Sequence, residues 1–241
     1  LGQGIANAVG MALAEKVLSS QFNQDNFNII DHFTYVFTGD GCLMEGVSHE
    51  ASSLAGTLKL GKLICFYDDN GISIDGEVDN WFAEDVAARY RAYGWHVIDD
   101  IDGHNPEQIS QAIKEAKNET NKPSMLACKT IIGFGSPNKA GTADTHGAPL
   151  GDDEINAVRK TLQWEHDPFV IPSDIKQAWD GIEKGSQLES SWNTLWEGYK
   201  KEHPDLYKDL EQRLQSTIED NRFEGIKVLL EDLKNEPDTV A

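Results

Sequence analysis

The stretch "YVFTGDGCLMEG", residues 35–46, decides how this chain folds. A β-branched and aromatic run, "FTYVFTGD" (33–40), predicts a buried strand. It ends on Gly39-Asp40-Gly41. Residues 42–58 then follow a helical period through Leu43, Val47, Ala51, Leu54 and Leu58. A strand that passes into a helix through a glycine-flanked carboxylate reads as the opening of a βαβ unit. The same three residues suit a plain turn, and they equally suit a site that holds a metal ion against a phosphate.

The sequence on either side repeats the pattern. Upstream, Ile5, Ala8, Val9, Ala12, Leu13 and Val17 predict a helix over 3–19, entered from the glycine-rich "LGQG". Downstream, "KLICFYDDN" (62–70) predicts a second strand. A helix over about 83–92, a strand at "GWHVIDDIDG" (94–103), a helix over 106–118 entered through Asn105-Pro106 and a strand at "SMLACKTIIG" (124–133) follow. The loop "FGSPNKAGTADTHGAPLG" (134–151) comes next. This alternation implies an α/β fold: a mostly parallel sheet with helices on both faces. Ligand-binding motifs then belong at the carboxyl ends of strands. Gly39-Asp40-Gly41, Asp68-Asp69-Asn70 and the loop after Ile132 all stand there. Beyond the proline-bounded "HDPFVIP" (166–172) the chain turns acidic and helical. Residues 1–167 are expected to form the α/β domain and 168–241 a helical linker, with Trp179, Trp192 and Trp196 as packing anchors.

With 241 residues, 39% of them apolar, the chain can bury a core. The formal net charge of −20 argues against nucleic-acid or anionic-membrane partners. It also means that a phosphate ligand needs a metal or local dipoles to attract it. No apolar run approaches the ~20 residues that span a bilayer. No leader is visible, and the start at Leu1 inside a glycine-rich loop reads as an N-terminal truncation. Cys42, Cys65 and Cys128 are odd in number and lack metal-type spacing, so buried free thiols in a reducing, cytoplasmic setting are expected.

The chemistry at the strand ends can be specified further. A hard divalent cation takes oxygen ligands, often with only one or two carboxylates among them. Asp40 can give one oxygen and the Asn70 amide a second. A backbone carbonyl just past Asn70 can give a third. Asp68 and Asp69 compete for the role by chemistry alone. Gly41 lets a backbone N–H approach a phosphate oxygen near a helix N-terminus. If the two strands are neighbours, these ligands converge.

At these residues the chain resembles the transketolase family of thiamine-diphosphate enzymes. "LGQGIANAVGMALAE", "GDGCLMEGVSHEASSLAGTLKLGKLICFYDDNGISIDG", "GFGSPNKAGT" and "THGAPLG" carry the resemblance, which covers roughly residues 1–200. It implies thiamine diphosphate as cofactor and magnesium, calcium or another divalent ion held by Asp40, Asn70 and the Ile72 carbonyl. Gly41 is implied to meet the diphosphate, and Leu1 and Gly2 to lie against the cofactor. Ile74 and Ile132 are implied as apolar neighbours of the cofactor ring. His146 is implied to be catalytic and to reach both the cofactor and the donor sugar. Glu45 resembles an acid near a subunit interface. The implied reaction moves a two-carbon ketol unit from a ketose phosphate to an aldose phosphate in a homodimer. Dihydroxyacetone synthase, a split transketolase and a non-catalytic cofactor-binding module are the rival readings. The family's catalytic glutamate, its later domains and two upstream histidines match nothing in this chain. His32, His49, His96, His104, His166 and His203 are read as structural.

Overall fold

The computed structural model describes residues 1–79, 81–215 and 223–235. Four strands form a wholly parallel sheet: β1 (Thr34–Gly39), β2 (Leu63–Asp69), β5 (His96–Asp102) and β6 (Ser124–Lys129), in the order β1-β2-β6-β5. A small antiparallel pair, β3 (Ile72–Ser73) with β4 (Gly76–Glu77), follows β2 and was not expected. The helices of this part are α1 (Gln3–Phe22), α2 (Asp40–Met44), α3 (Gly46–Thr57), α4 (Val86–Ala92), α5 (Pro106–Asn118), α6 (Asp152–Thr161) and α7 (Ser173–Ala178).

Alternation along the strands explains the layering. In β2, Leu63, Cys65 and Tyr67 point into one apolar cluster, while Ile64 and Phe66 point into another. In β6, Met125 and Ala127 join the first cluster, and Leu126 and Cys128 the second. The first is closed by Ile5, Val9 and Ala12 of α1, Leu43 of α2, Ala55 of α3 and Tyr90 of α4. The second is closed by Ala112 and Ala116 of α5. Helices therefore cover both faces of the sheet, as the alternation predicts, because strands buried on both sides are apolar at every position. The cover stops at β1, where Tyr35 is 45% and Phe37 76% exposed.

Three local differences from the sequence reading have physical causes. The helix expected over 42–58 starts at Asp40 and breaks at Glu45, whose ψ of 135° makes it the N-cap of α3. The Glu45 carbonyl accepts the Ser48 N–H at 3.0 Å and the Ser48 hydroxyl at 2.6 Å, which stabilises the break. Periodicity survived the break, so it could not reveal it. Strand β6 ends at Lys129, short of the expected 133, and Ile132 stands in the loop. Val17, Val47 and Leu54, which belong to the apolar helical periods, are 42%, 41% and 47% exposed.

Phe22–Ile29 and the described residues from Gly181 onward form a second compact unit, carrying α8 (Ile182–Glu202), α9 (Pro204–Leu214) and α10 (Glu224–Asn235). Within it the Tyr199 hydroxyl donates to the Phe22 carbonyl at 2.7 Å, and Trp192 Nε1 donates to the Ile29 carbonyl at 3.1 Å. Trp196 stacks on Trp192 at 5.2 Å and meets Tyr207 at 4.6 Å. Trp192 and Trp196 thus anchor helices as expected, and Tyr199 joins them. Trp179 does not: it is 86% exposed.

Cys65 and Cys128 are buried free thiols and Cys42 is half-buried. Burial pushes the Cys65 thiol up to about 12, so it stays protonated. Among the described residues, no helix is long and apolar enough to cross a membrane.

One close approach in the sheet domain is testable. A Cβ added to Gly61 would lie 2.0 Å from the Thr120 carbonyl oxygen, with backbone on the other side of the clash. Gly61→Ala should destabilise the chain by about 1–3 kcal/mol or more in urea unfolding. Gly10→Ala, at an exposed position of α1 and with nothing within 4 Å of its Cβ, should stabilise by about 0.5–1 kcal/mol. Equal effects of the two would contradict the packing.

Candidate functional site

Parallel pairing sets Gly39 opposite Asp68, so β1 and β2 end side by side. Asp40 is the first residue beyond β1 and Asn70 the first beyond β2. The neighbour condition for convergence is met, and right of β2 the next strand, β6, leads into the 130–151 loop.

Asp40 is 4% exposed. Its Oδ1 accepts the Tyr67 hydroxyl at 2.6 Å and its Oδ2 accepts the Gly71 N–H at 3.1 Å. Burial pushes the Asp40 carboxyl above its ordinary range. The Tyr67 hydrogen bond offsets part of this, Asp69 adds repulsion, and the Gly71 N–H offsets a little more. Burial, and then the bond to Asp40, hold the Tyr67 phenol far above its usual value, so it remains a donor. Tyr67 is the member of the site that the motif reading missed. The available signal was register: Tyr67 lies opposite Thr38, two residues before Asp40, on the face shared with Cys65.

The Asn70 Oδ1 accepts the Ile72 N–H at 2.9 Å, and its Nδ2 donates to Asp68 Oδ2 at 3.2 Å. An amide oxygen has a second lone pair, so this turn orients Asn70 without using up its ligand capacity. The two competing carboxylates are tied to the end of β6. Asp68 accepts the Thr130 hydroxyl, and Asp69 pairs with Lys129 at 2.5 Å. Asp40 is the buried carboxylate of the three, and Asp68 borders the same cavity as Asp40.

A cavity of about 600 Å³ opens over these ends. Asp40, Asn70 and Ile72 line its polar floor, together with Gly41. Leu1, Ile74 and Ile132 line its apolar sides, with Trp81, which the sequence reading had not weighed. His146 reaches it from the long loop, beside Thr145, and Glu45 borders it from the α2–α3 break. Gly2 lies behind the wall. Its φ of +74° and the 2.7 Å from an added Cβ to the Glu45 Cβ leave room for glycine alone. Gly41 is packed by Leu1, 3.4 Å from the position of an added Cβ.

The donor set fits one kind of metal. Asp40, Asn70 and the Ile72 carbonyl are all hard oxygen donors, suited to magnesium or calcium with water or phosphate completing the shell. Among the described residues, no three His, Cys, Asp or Glu side chains gather as a metal cluster. Helix α2 has only five residues, so its dipole adds little attraction for an anion. A further cavity, of about 700 Å³, lies on the other side of Asp40 and is lined by Asp69, Asp79, Glu84, Asp85, Asp99 and Asp100.

Three of the other histidines have structural work. His104 Nε2 accepts the Ile131 N–H at 2.9 Å and its ring stacks on Phe134. His49 bonds Tyr93 and Arg89, and His96 bonds Ser124 and Glu115.

Fold and site together define an α/β domain with a parallel sheet and a cavity of hard oxygen donors at the carboxyl ends of its strands. The chain belongs to the transketolase family: residues 1–219 match the domain described as transketolase, thiamine diphosphate binding domain. It is 56% identical to Transketolase 1 of Pasteurella multocida and to Transketolase 1 of Escherichia coli, over all 241 residues of this chain and 36% of each relative. Transketolase of Pichia stipitis in complex with sedoheptulose-7-phosphate superposes with a TM-score of 0.88 at 45% identity, covering 92% of this chain and 33% of that one. Transketolase from Leishmania mexicana gives 0.88 at 42% identity, covering 90% and 33%. The chain spans about a third of the length of these relatives.

The buried carboxylate makes a prediction about the metal-free chain. A carboxyl whose folded pKa is raised favours the fold while it is protonated, and that contribution is lost as pH rises through the folded value. Asp40→Asn removes the charge, and Tyr67 can turn its hydroxyl to accept from the new amide. At pH 7 without divalent ions, Asp40→Asn should be more stable than the unaltered chain, and the difference should shrink as the pH falls toward 4. Urea titrations across that range check it, and a pH-independent difference would contradict the assignment.

Proposed function

We propose that this chain is the diphosphate- and metal-holding part of a transketolase. The whole protein would move a two-carbon ketol unit from a ketose phosphate to an aldose phosphate. The observation that carries the reading is the meeting of Asp40, Asn70 and Ile72 with Ile74, Ile132 and His146 around one cavity, in a chain 56% identical to transketolases.

In this reading the Asp40 carboxylate, the Asn70 amide oxygen and the Ile72 carbonyl hold magnesium, with calcium or another hard divalent ion as a substitute. Gly41 offers its N–H to the diphosphate, and Leu1 and Gly2 close the wall beside it. Bound there, thiamine diphosphate supplies the nucleophilic carbon that takes up and passes on the ketol unit. Ile74 and Ile132 flank its ring and keep water away. His146 holds the donor sugar and exchanges a proton with one of its hydroxyls. The charge of −20 makes the cation necessary, since little else in the chain attracts a phosphate. Sugar phosphates as substrates are supported by the Pichia stipitis transketolase complexes with sedoheptulose-7-phosphate and fructose-6-phosphate. A cytoplasmic homodimer completes the proposal, with the opposite wall of the site contributed by the rest of the protein.

Two experiments test this. Calorimetric titration of the chain with magnesium and thiamine diphosphate should show weak, magnesium-dependent binding that Asp40→Asn and Asn70→Ala abolish. Saturation without a divalent ion, or no binding at millimolar cofactor, would exclude the assignment. In the full-length enzyme, His146→Ala should lower kcat by on the order of 10²-fold while cofactor affinity changes little. Unchanged steady-state kinetics would remove His146 from the reaction.

A further inference from the structure

Residues 130–151 form the longest irregular stretch of the sheet domain, with only a three-residue 3₁₀ turn, Ala143–Thr145, inside it. Such a loop has a large conformational entropy to overcome before it can present side chains at fixed positions. It nevertheless carries Ile132 and His146, which line the same cavity as Asp40. Something must hold it.

The hold comes from a carboxylate that neither the motif reading nor the family resemblance singled out. Glu154 lies in the first turn of α6, where an acid ordinarily faces solvent and favours the helix dipole. Here it is 8% exposed and turned back toward the preceding loop. Its Oε1 accepts the Ser136 hydroxyl at 2.5 Å and the Asn138 N–H at 3.0 Å. Its Oε2 accepts the Asn138 side-chain amide at 2.8 Å. Ser136 Oγ in turn accepts the Lys139 N–H at 3.1 Å, and Lys139 Nζ donates to the Leu150 carbonyl at 2.9 Å. Three donors on one buried carboxylate are charge-assisted bonds, the strong kind. The Asn138 bond, and then the Ser136 bond, hold the Glu154 carboxyl below its ordinary range, which keeps it charged.

The clasp reaches the cavity through close packing. The Gly141 N–H donates to the Ile132 carbonyl at 2.8 Å, and the Ser136 N–H to the Gly133 carbonyl at 3.0 Å. Gly133 packs so tightly on Thr145 that an added Cβ would lie 2.7 Å from its Cγ2. Gly133 follows Ile132, and Thr145 precedes His146. Fixing the 136–138 turn therefore fixes the two cavity residues relative to each other.

We propose that Glu154 is a positioning residue: through Ser136 and Asn138 it sets the loop that places Ile132 and His146 on one wall of the cavity. Its importance for catalysis rests on the transketolase reading, but the clasp itself does not. The site contact belongs to His146, and Glu154 acts through the loop.

The test uses three variants of this chain, free of cofactor. Asn138→Asp sets two carboxylates against each other, so it should open the clasp without deleting volume. The double variant Asn138→Asp with Glu154→Gln restores a donor–acceptor pair with the charge moved across. Glu154→Gln alone keeps both shape and acceptor, and Asn138 can rotate its amide to match. In Asn138→Asp, amide hydrogen exchange over 131–147 should accelerate at least about tenfold, the scale of one lost charge-assisted hydrogen bond. Amides of β1, β2 and β6 should keep their protection, and the His146 ring resonances should move toward those of an unstructured peptide. The double variant should recover both signals, and Glu154→Gln alone, which keeps the bonds but loses their charge assistance, should accelerate exchange less than Asn138→Asp does. Unchanged loop exchange, acceleration shared equally by the strands, or no recovery in the double variant would each overturn the proposal. Failure of the cofactor reading appears separately, as no binding of magnesium and thiamine diphosphate by the unaltered chain.

Discussion

The side-by-side parallel pairing of β1 and β2 is the constraint from which the site follows. Parallel neighbours must be joined by a crossover, here through α2 and α3, and a crossover returns the chain so that both strands end at the same edge. With Gly39 opposite Asp68, the residues that follow each strand are forced into one small volume. Asp40 and Asn70 stand thirty positions apart in the chain and are neighbours in space for that reason alone. Strand β6, paired on the far side of β2, brings the third participant, the long loop, to the same edge.

That arrangement leaves a charge where the fold by itself would not place one. Asp40 is buried, and Asp69 adds to the cost of ionising it. The Tyr67 hydroxyl and the Gly71 N–H keep its two oxygens oriented and partly satisfied. The neighbouring Asp68 and Asp69 are tied to Thr130 and Lys129, so Asp40 is the carboxylate of the three that is buried at a cost in stability. The same logic runs through the glycines at the rim. Gly2 lets the first residues approach Glu45, and Gly133 lets the loop close on Thr145. In both places a side chain would push apart two walls of one cavity.

Legibility in the sequence differed by kind of feature. Strands buried on both faces and a helix with its own cap were plain: α5 occupies the 106–118 span read from Asn105-Pro106, because the Asn105 side chain accepts from the Glu107 and Gln108 N–H groups. The break at Glu45 was hidden because apolar periodicity continues across it. The exposure of Val17, Val47 and Leu54 was hidden because a periodic pattern says that residues share a face, not what covers that face. Tyr67 was hidden because its partner, Asp40, is distant in the chain and close only through register. Glu154 looked like any acid at the start of a helix.

The sequence alone determined the alternating parallel α/β fold, the family, and the residue types at the strand ends. Each of those is written in local pattern: period, turn chemistry and an extended motif whose residues lie close together in the chain. The tertiary structure decided which strands are neighbours, that Asp40 is buried against Tyr67 while Asp68 and Asp69 bond Thr130 and Lys129, and that Glu154 clasps the long loop. Those depend on which distant segments share a surface, and on which carboxylates find partners when water is excluded. A single sequence carries no direct record of either.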